Sequence, residues 1–347
     1  MLVFLILAGG SGMRFWPISK KDKPKQLLKI FSDKPLLCKT VDRIKGMVDM
    51  DRIFIATSPD LKESIKEMVK DVSDSRIIVE PEKKDTCMAI SYSSLIISKY
   101  YNNPTICVLP SDHIIENEEE FQNVINEAYE NKDDKIITIG IRPNKPSTDY
   151  GYIKSYSSIN TITKVLEFRE KPDYKSAKMF IENGNYLWNS GIFIFQYNFL
   201  LEELKKYQND IYEVIMKLNE FNNVIDIFKL SKELFKNIIN ISIDYAILEK
   251  TNKAYVIEAP LKWSDVGSYL YLEEVLEKDE NNNVIKNANY VGIDSSNNII
   301  ISDENININV SLLGVENMII SITKDDVLII NKKDINKMKD LIKKVEQ

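Results

Sequence analysis

The sequence predicts an α/β fold, in which a mostly parallel sheet is followed by a small all-β unit. In the first 141 of the 347 residues, short apolar runs alternate with helix-period patterns. This order is typical of parallel sheets that are buried on both faces. After residue 279, β-branched runs recur at intervals of roughly 8–12 residues with turn residues between them, which favours an all-β unit. A chain of this length suggests about two domains, and we place them at 1–278 and 279–347.

The elements of the first half follow from these apolar runs. Continuous or alternating apolar runs predict strands at 2–7, 52–57, 76–79, 105–109 and 135–141. Between them, helix-period patterns predict helices at 36–48, 58–70, 85–101 and 118–130. The first strand runs into a glycine-rich loop at residues 8–12.

The second half changes character. We predict strands of an insertion or sheet extension at 150–155, 161–168 and 191–196, and a further strand at 254–258. Helical patterns cover about 173–183, 198–236 and 243–250. The C-terminal unit carries β-branched runs at 284–285, 290–293, 299–302, 306–313, 318–323 and 327–330, and a helix at 332–345 closes the chain.

The net charge and the number of histidines and cysteines exclude several classes of function. A net charge of −6 disfavours binding to duplex nucleic acid or to a membrane surface, and we predict neither partner. The single histidine, His113, excludes a multi-histidine zinc site, and we give it no catalytic role. Three cysteines without CxxC spacing argue against a disulfide framework or a zinc ribbon. The apolar residues 1–8 lack a basic flank and are too short to span a bilayer. We therefore predict a soluble, cytoplasmic protein.

The loop after the first strand is the most informative segment. Gly9, Gly10 and Gly12 allow successive backbone N–H groups to cradle a phosphate. The spacing fits neither a Walker A loop nor a dinucleotide fingerprint. On glycines alone, a plain turn remains an alternative, but Arg14 and Lys25 add the cationic donors that polyphosphate binding requires. We interpret the lysines at positions 20, 21 and 23 as a solvated basic run.

Two aspartates are candidate metal ligands. Asp112 follows an apolar strand, and in open parallel sheets ligands lie beyond the carboxyl ends of strands. Asp265 lies in a second short loop, at 263–267. Mg²⁺ favours one or two carboxylates together with waters and substrate phosphates. From the sequence alone, either aspartate is more often a turn or capping residue.

Several motifs in order resemble one known family. They are LAGGSGMRFWP with PKQLL, EP with DT at 80–86, PSDH at 110–113, YGYI at 150–153, FREKP at 168–172, WNSGIF at 188–193, SIDY at 242–245 and WSDVGS at 263–268. Together they are similar to the sugar-1-phosphate nucleotidylyltransferases, and most similar to their mannose-1-phosphate guanylyltransferase branch. The resemblance spans residues 3 to about 270, and its specificity lies in the ordered set.

The resemblance implies a fold, a reaction and a set of site residues. It implies a Rossmann-like nucleotidyltransferase domain with a left-handed β-helix-like tail, which converts GTP and mannose 1-phosphate into GDP-mannose and diphosphate. Arg14, Lys25 and Lys171 would be catalytic, and Asp112 and Asp265 would hold Mg²⁺. The implied nucleotide-binding residues are Leu7, Ala8, Gly9, Gly10, Ser11, Gly12, Glu80, Asp85, Thr86 and Ser111. The implied sugar-binding residues are Gly151, Glu170, Asn189, Ser190 and Gly191.

One departure from the family pattern leaves the base open. The family usually has Arg-Asn-Thr-Ala-Pro where this chain has residues 84–88, of which only Thr86 is kept. With Glu80, Asp85 could accept guanine N1–H or N2–H, or it could cap the helix that starts there. A nucleotidylyltransferase for another hexose 1-phosphate or another nucleoside triphosphate therefore remains an alternative.

Two alternatives from other classes are less favoured. A metal-dependent glycosyltransferase would use an Asp-x-Asp pair, but the pair at 49–51 precedes a strand and so lies at the wrong end of the sheet. A non-catalytic nucleotide sensor would not need both metal carboxylates. The β-helix-like tail predicts packing and a homodimer. Because the sequence ends at Gln347, we expect no fused phosphomannose isomerase domain.

Overall fold

The computed structural model describes residues 1–10, 12–156, 159–304 and 306–345. Its strands are β1 Leu2–Leu7, β2 Ile53–Thr57, β3 Ile77–Val79, β4 Thr105–Pro110, β5 Ile114–Ile115, β6 Ile136–Ile141, β7 Tyr152–Lys154, β8 Ile162–Lys164, β9 Glu167–Arg169, β10 Tyr186–Gln196, β11 Ala254–Glu258, β12 Trp263–Ser264, β13 Val284–Lys286, β14 Asn289–Ile293, β15 Ile299–Ser302, β16 Asn309–Leu313, β17 Met318–Ile322 and β18 Val327–Asn331.

The helices lie between these strands in chain order. They are α1 Leu36–Ile44, α2 Lys62–Met68, α3 Asp85–Ser98, α4 Glu118–Glu130, α5 Tyr174–Asn183, α6 Tyr197–Tyr207, α7 Asn209–Asn219, α8 Val224–Leu234, α9 Leu272–Val275 and α10 Met338–Val345. A π-helical turn occupies Asp244–Leu248. Among the described residues, no helix combines the length and the apolar character needed to cross a membrane.

The central sheet confirms the predicted α/β class. Its strands follow the order β3-β2-β1-β4-β10-β6-β11-β8, and β7 and β9 extend it beside β10. The neighbours from β3 to β4 are parallel, as are β6 and β11, whereas β10 is antiparallel to both β4 and β6. The fully buried apolar faces of β1, β2 and β4 explain why these strands appear in the sequence as continuous apolar runs.

The C-terminal strands form the predicted β unit. Strands β13, β15 and β17 pair in parallel, β14 pairs with β16, and β18 closes the larger sheet antiparallel to β17. Stacked isoleucines such as Ile300 and Ile320 fill its interior. Short parallel rungs with apolar interiors constitute a β-helix-like unit.

Among the element predictions that differ from the structure, three have a clear physical cause. The strand predicted at 191–196 begins earlier, at Tyr186, because β10 continues through a bulge. The run at 161–168 is two short strands, since β8 pairs with β11 while β9 pairs with β7. The pattern at 198–236 is three helices, and breaks at Gln208 and near residue 221 separate them.

Contacts divide the chain into two compact units. Unit 1 comprises residues 1–9 and 40–263, and unit 2 comprises residues 10–39 and 264–347. Unit 1 contains the central sheet, and unit 2 contains the β-helix. The division groups residues 10–39 with the β-helix, although the sequence boundary that we predicted lies at 278/279.

Candidate functional site

In unit 2, the residues after the first strand form a segment that closes around one lysine. We call residue 10 together with residues 12–27 the glycine-rich segment. Gly12 has a φ of +53°, and a Cβ there would clash with the backbone nitrogen of Lys25 and lie 3.0 Å from its Cβ. Only a glycine fits this left-handed position against a neighbouring backbone. Lys25 is 4% exposed, and its Nζ donates to the carbonyl oxygen of Asp265 at 2.5 Å.

The loop that carries Asp265 lies against the same segment. A Cβ added at Gly267 would lie 3.3 Å from a guanidinium nitrogen of Arg14 and 3.3 Å from Asp265 Oδ1. Gly267 therefore leaves room for Arg14 and the Asp265 carboxylate to approach the same backbone. Nε2 of Gln26 donates to the carbonyl of Gly10 at 3.2 Å, which ties the start of the segment to its end. Two cations and a carboxylate thus come together in unit 2. Ser11 lies outside the described residues.

Two lysines of the basic run keep partly exposed side chains, as predicted, and each has an acidic partner. Nζ of Lys20 lies 2.8 Å from Asp326 Oδ2, and Nζ of Lys23 lies 3.3 Å from Asp303 Oδ2. Both acidic partners lie in the β-helix, remote from the lysines in sequence. Local sequence carries no signal for such a pairing, because the two charges meet only when the chain folds.

In unit 1, predicted nucleotide residues gather at the carboxyl ends of parallel strands. The amide of Ala8 donates to Ala56, that of Glu80 to Thr57, and that of Ser111 to Leu7, at 2.8, 2.8 and 3.2 Å. These bonds continue the ladders of β1 to β4 past the ends of the strands, as expected for a ligand edge of an open sheet.

Glu80 lies against the glycine that follows the first strand. A Cβ at Gly9 would lie 3.3 Å from Glu80 Oε1. Glu80 is 8% exposed, and burial raises the pKa of its carboxyl to about 7. Near neutral pH, the carboxyl is therefore present in both forms and can donate a hydrogen bond as well as accept one. From the sequence we predicted Glu80 as an acceptor only, since burial is not visible in the sequence.

The run at 84–88 begins α3. Asp85 has a φ of +63°, and its Oδ1 accepts the amide of Thr86 at 2.7 Å. The N-cap position of α3 is Lys84 and no side chain caps the helix there, so the alternative in which Asp85 caps this helix is wrong. Oγ1 of Thr86 accepts the amide of Ile243 at 2.9 Å. Thr86 therefore anchors the segment that leads into the π-helical turn.

Asp112 follows β4, as predicted, and its side chain is half-buried. The neighbouring His113 accepts a hydrogen bond at Nδ1 from Trp263 Nε1 at 3.2 Å, with the two rings edge to face. This contact gives the histidine a packing role within unit 1.

A second group of charges in unit 1 involves the predicted sugar residues. We call Glu170, Lys171, Asn189 and Asp244 the carboxylate–amide cluster. Nζ of Lys171 donates to Glu170 Oε1 at 2.6 Å. Burial disfavours the Lys171 charge, but the hydrogen bond to Glu170, together with the negative charges of Glu170 and Asp244, outweighs burial and raises the pKa of the ammonium. A Cβ at Gly151 would lie 2.5 Å from Glu170 Oε2. Gly151 thus lets Glu170 approach its backbone, whereas the resemblance implied an approach by the hexose.

A bulge in β10 orients Asn189. The register with β6 shifts between Asn189 and Phe193, around Gly191, whose φ is +71°. Oδ1 of Asn189 accepts from the hydroxyl of Thr138 at 2.9 Å and from the amide of Gly191 at 3.2 Å. Bulges commonly redirect a side chain near a binding site. Ser190 is 1% exposed, and its hydroxyl donates to the carbonyl of Ile139 at 2.7 Å, so its side chain braces the bulge.

Asp244 is a site residue that we did not predict from the sequence. Nδ2 of Asn189 donates to Asp244 Oδ1 at 3.0 Å. Burial, and then the charge of Glu170, raise the pKa of Asp244. The SIDY motif pointed to this position, but only the fold brings the carboxylate to Asn189.

Carboxylate oxygens of the kind that Mg²⁺ prefers occur in each of the two units. Among the described residues, no group of three or more His, Cys, Asp or Glu side chains forms a metal cage. Mg²⁺ does not need one, because one or two carboxylates suffice when phosphates and waters complete the shell. Asp112 in unit 1 and Asp265 in unit 2 are such hard oxygen donors.

Comparison with known proteins shows the family of this chain. The nucleotidyl transferase family model matches residues 3–282. The chain belongs to the nucleotidyl transferase family. A second model, described as a MannoseP isomerase/GMP-like beta-helix domain, matches residues 288–345.

Relatives of this nucleotidyl transferase extend over its whole length. It is 35% identical to the mannose-1-phosphate guanylyltransferase of Klebsiella pneumoniae, over 99% of this chain and 74% of the relative. It is 33% identical to the alginate biosynthesis protein AlgA of Pseudomonas putida, over 100% of this chain and 72% of the relative. A solved structure of mannose-1-phosphate geranyltransferase from Thermus thermophilus matches with a TM-score of 0.89 and 27% identity, over 100% and 99% of the two chains.

Proposed function

We propose that this nucleotidyl transferase is a mannose-1-phosphate guanylyltransferase, which forms GDP-mannose and diphosphate from GTP and mannose 1-phosphate and so supplies activated mannose for glycan synthesis. The observation that carries the proposal is the Lys25–Asp265 contact, with Arg14 beside it, in a chain whose relatives bear that name. A reaction between two anions requires cations that neutralise their charge, and such cations act best when they are already held in position.

The reaction we propose needs no general base. A phosphate monoester has a second pKa near 6, so the oxygen of mannose 1-phosphate is already ionised at pH 7. It attacks the α-phosphorus of GTP, a new P–O bond forms, and the bond to the diphosphate leaving group breaks. Catalysis then depends on positioning and on neutralising charge.

Each charged residue has a proposed role. Lys25 holds the α-phosphate, and Arg14 with the backbone of residues 9–12 holds the diphosphate leaving group. Lys171 exchanges its contact with Glu170 for the sugar phosphate. Glu170 and Asn189, together with residues 190–191, recognise sugar hydroxyls. Asp112 and Asp265 would hold Mg²⁺, which would neutralise charge on the reacting phosphates. Glu80, with residues 85, 86 and 111, would line the base and ribose side.

The test is diphosphate release, measured over a grid of nucleoside triphosphates and hexose 1-phosphates with Mg²⁺. We expect GTP with mannose 1-phosphate to give the highest kcat/KM. A Lys25→Ala protein purified in parallel controls for contaminating enzyme. Activity with UTP or dTTP alone would assign another base, and silence in every combination would favour a nucleotide sensor.

We further propose a cytoplasmic homodimer without nucleic-acid or membrane partners. Among the described residues, no cysteine forms a disulfide, and Cys87 and Cys107 are buried. Exposed apolar side chains on the β-helix, including Val291 and Leu313 at 67% and 75% exposure, support self-association. Light scattering during size-exclusion chromatography should give about twice the 40.1 kDa chain mass. A monomer at micromolar concentration would contradict the proposal.

A further inference from the structure

A single buried tyrosine joins three parts of unit 2. Tyr269 follows the loop that carries Asp265 and is 0% exposed. Its hydroxyl lies 2.8 Å from the carbonyl oxygen of Phe15 and 3.1 Å from that of Trp16, both in the glycine-rich segment. The same hydroxyl lies 2.7 Å from Ser321 Oγ on β17 of the β-helix.

The direction of these hydrogen bonds follows from the groups involved. Carbonyl oxygens only accept, so the phenol proton of Tyr269 is given to Phe15 or Trp16. The Ser321 hydroxyl therefore donates to the Tyr269 oxygen. Ser321 is 0% exposed, which means that water does not compete for either bond.

Apolar packing also fixes this junction, by which we mean the contact of Tyr269 with the glycine-rich segment and with β17. The rings of Tyr269 and Phe15 lie 5.0 Å apart, and Phe15 meets Phe31 edge-on at 5.2 Å. Phe15 is 0% exposed. Ion pairs from Lys20 and Lys23 to the β-helix flank this core. The glycine-rich segment is thus held on the β-helix in two ways, by the buried contacts of Tyr269 and by the ion pairs of Lys20 and Lys23.

We propose that Tyr269, held by Ser321, is a positioning residue through which the β-helix fixes the phosphate-handling groups. The inference rests on the proposed function and assigns the β-helix a part in it. Tyr269 sets the backbone at Phe15 and Trp16, next to Arg14, and it follows closely after Asp265, whose carbonyl holds Lys25. A shift of this junction displaces Arg14, Lys25 and Asp265 together, and small misplacements of such groups are costly in rate.

The test compares Tyr269→Phe and Ser321→Ala with a matched variant of the same β-helix. Tyr290→Phe is the control, because the Tyr290 hydroxyl also takes part in a hydrogen bond, which it accepts from Asn283 Nδ2 at 3.3 Å within the β-helix. Kinetics are measured with each substrate varied. Hydrogen exchange is measured on peptides that cover residues 12–28, where the amide of Ser19 donates to Phe15 at 2.9 Å.

We expect Tyr269→Phe to lower kcat/KM for GTP about tenfold and to leave KM for mannose 1-phosphate within about twofold, because a buried hydrogen bond is lost beside the phosphate groups only. Exchange in residues 12–28 should speed up about tenfold. Ser321→Ala should give a smaller change of the same kind, since Tyr269 keeps its carbonyl partners. Ser321→Ala removes a single heavy atom, so it provides a second test of the inference if Tyr269→Phe folds poorly.

The inference would be overturned if hydrogen exchange in residues 12–28 were equally fast in Tyr269→Phe and Tyr290→Phe. It would also be overturned if Tyr269→Phe raised KM equally for both substrates. Absence of diphosphate release by the wild-type protein would overturn the proposed function instead. The exchange comparison still decides the positioning role in that case, because it needs no substrate.

Discussion

The glycine-rich segment in unit 2 and the carboxylate–amide cluster in unit 1 hold their charges in different ways. In the segment, contacts with the main chain set the groups: Lys25 Nζ donates to the carbonyl of Asp265, and the Tyr269 hydroxyl fixes the backbone by donating to the carbonyls of Phe15 and Trp16. In the cluster, side chains hold one another, with Lys171 on Glu170 and Asn189 on Asp244.

The difference has a physical consequence. A main-chain carbonyl cannot titrate or swing to a new rotamer, so cations that it holds keep their position as the pH and the ligand change. A carboxylate can do both, and the pKa values of Lys171 and Asp244 are raised in the cluster. We expect the segment to respond to substitutions with loss of turnover, and the cluster to respond with altered sugar affinity.

The largest expected effect comes from removing a charge that the reaction uses. Lys25→Ala or Asp112→Asn should lower kcat on the order of 10²-fold or more, as for other preorganised electrostatic groups. Steady-state diphosphate release measures the effect. Lys205→Ala, on the exposed face of α6, is the control. Near-normal turnover in both site variants would contradict the proposed reaction.

Gly12→Ala tests the main-chain geometry of the segment without touching a charge. The added methyl would clash with the Lys25 backbone, and an alanine would have to adopt the left-handed φ of this position. We therefore expect kcat to fall between about tenfold and hundredfold. Gly184→Ala also occupies a positive φ, +75°, but has open space around it. It therefore reports the cost of the dihedral alone. Equal activity in the two variants would argue against a role for the Gly12–Lys25 contact.

Gly151→Ala is the corresponding test of the cluster. A methyl 2.5 Å from Glu170 Oε2 must displace that carboxylate, so KM for mannose 1-phosphate should rise about tenfold while KM for GTP stays within about twofold. Gly46→Ala, which has no neighbour within 4 Å, is the control. A rise in the KM for GTP instead would move Gly151 out of the sugar site.

Glu80→Gln should make stability less dependent on pH. Burial raises the Glu80 pKa from 4.5 to about 7. Below pH 4.5 both states carry the proton; as the pH rises to 7, the unfolded chain loses it first, so stability falls across that window. At pH 8 the variant should exceed wild type in free energy of unfolding by on the order of 1–3 kcal/mol, with little difference at pH 4.5. Urea unfolding at both pH values measures this, and exposed Glu82→Gln should show no such gain.

The smallest expected effect concerns the ion pairs that flank the segment. Lys23 and Asp303 are 39% and 21% exposed at their side chains. Their coupling in a double-mutant cycle with Lys23→Ala and Asp303→Ala should be below about 1 kcal/mol of unfolding free energy. A larger coupling would mean that charge pairs, more than the buried Tyr269 junction, hold the segment on the β-helix.

The sequence by itself determined the order of the elements and the reaction class. Periodic apolar runs specified β1 to β4 and α4 because burial on both faces, or on one face, leaves a pattern in the residues themselves. Glycines and charged residues in motif order pointed to a nucleotidyl transferase. The ends of elements without a strong pattern, such as β8 and β9, were predicted less well because pairing with distant strands sets them.

Only the tertiary structure decided how the charges are held. The partner of Lys25 is a carbonyl 240 residues away, and the partner of Ser321 is Tyr269. The raised pKa of Glu80 and the role of Asp244 also arise from burial and from neighbours that are remote in sequence. Such contacts leave no local pattern, because a carbonyl is common to every residue and desolvation depends on what the rest of the chain packs around a group.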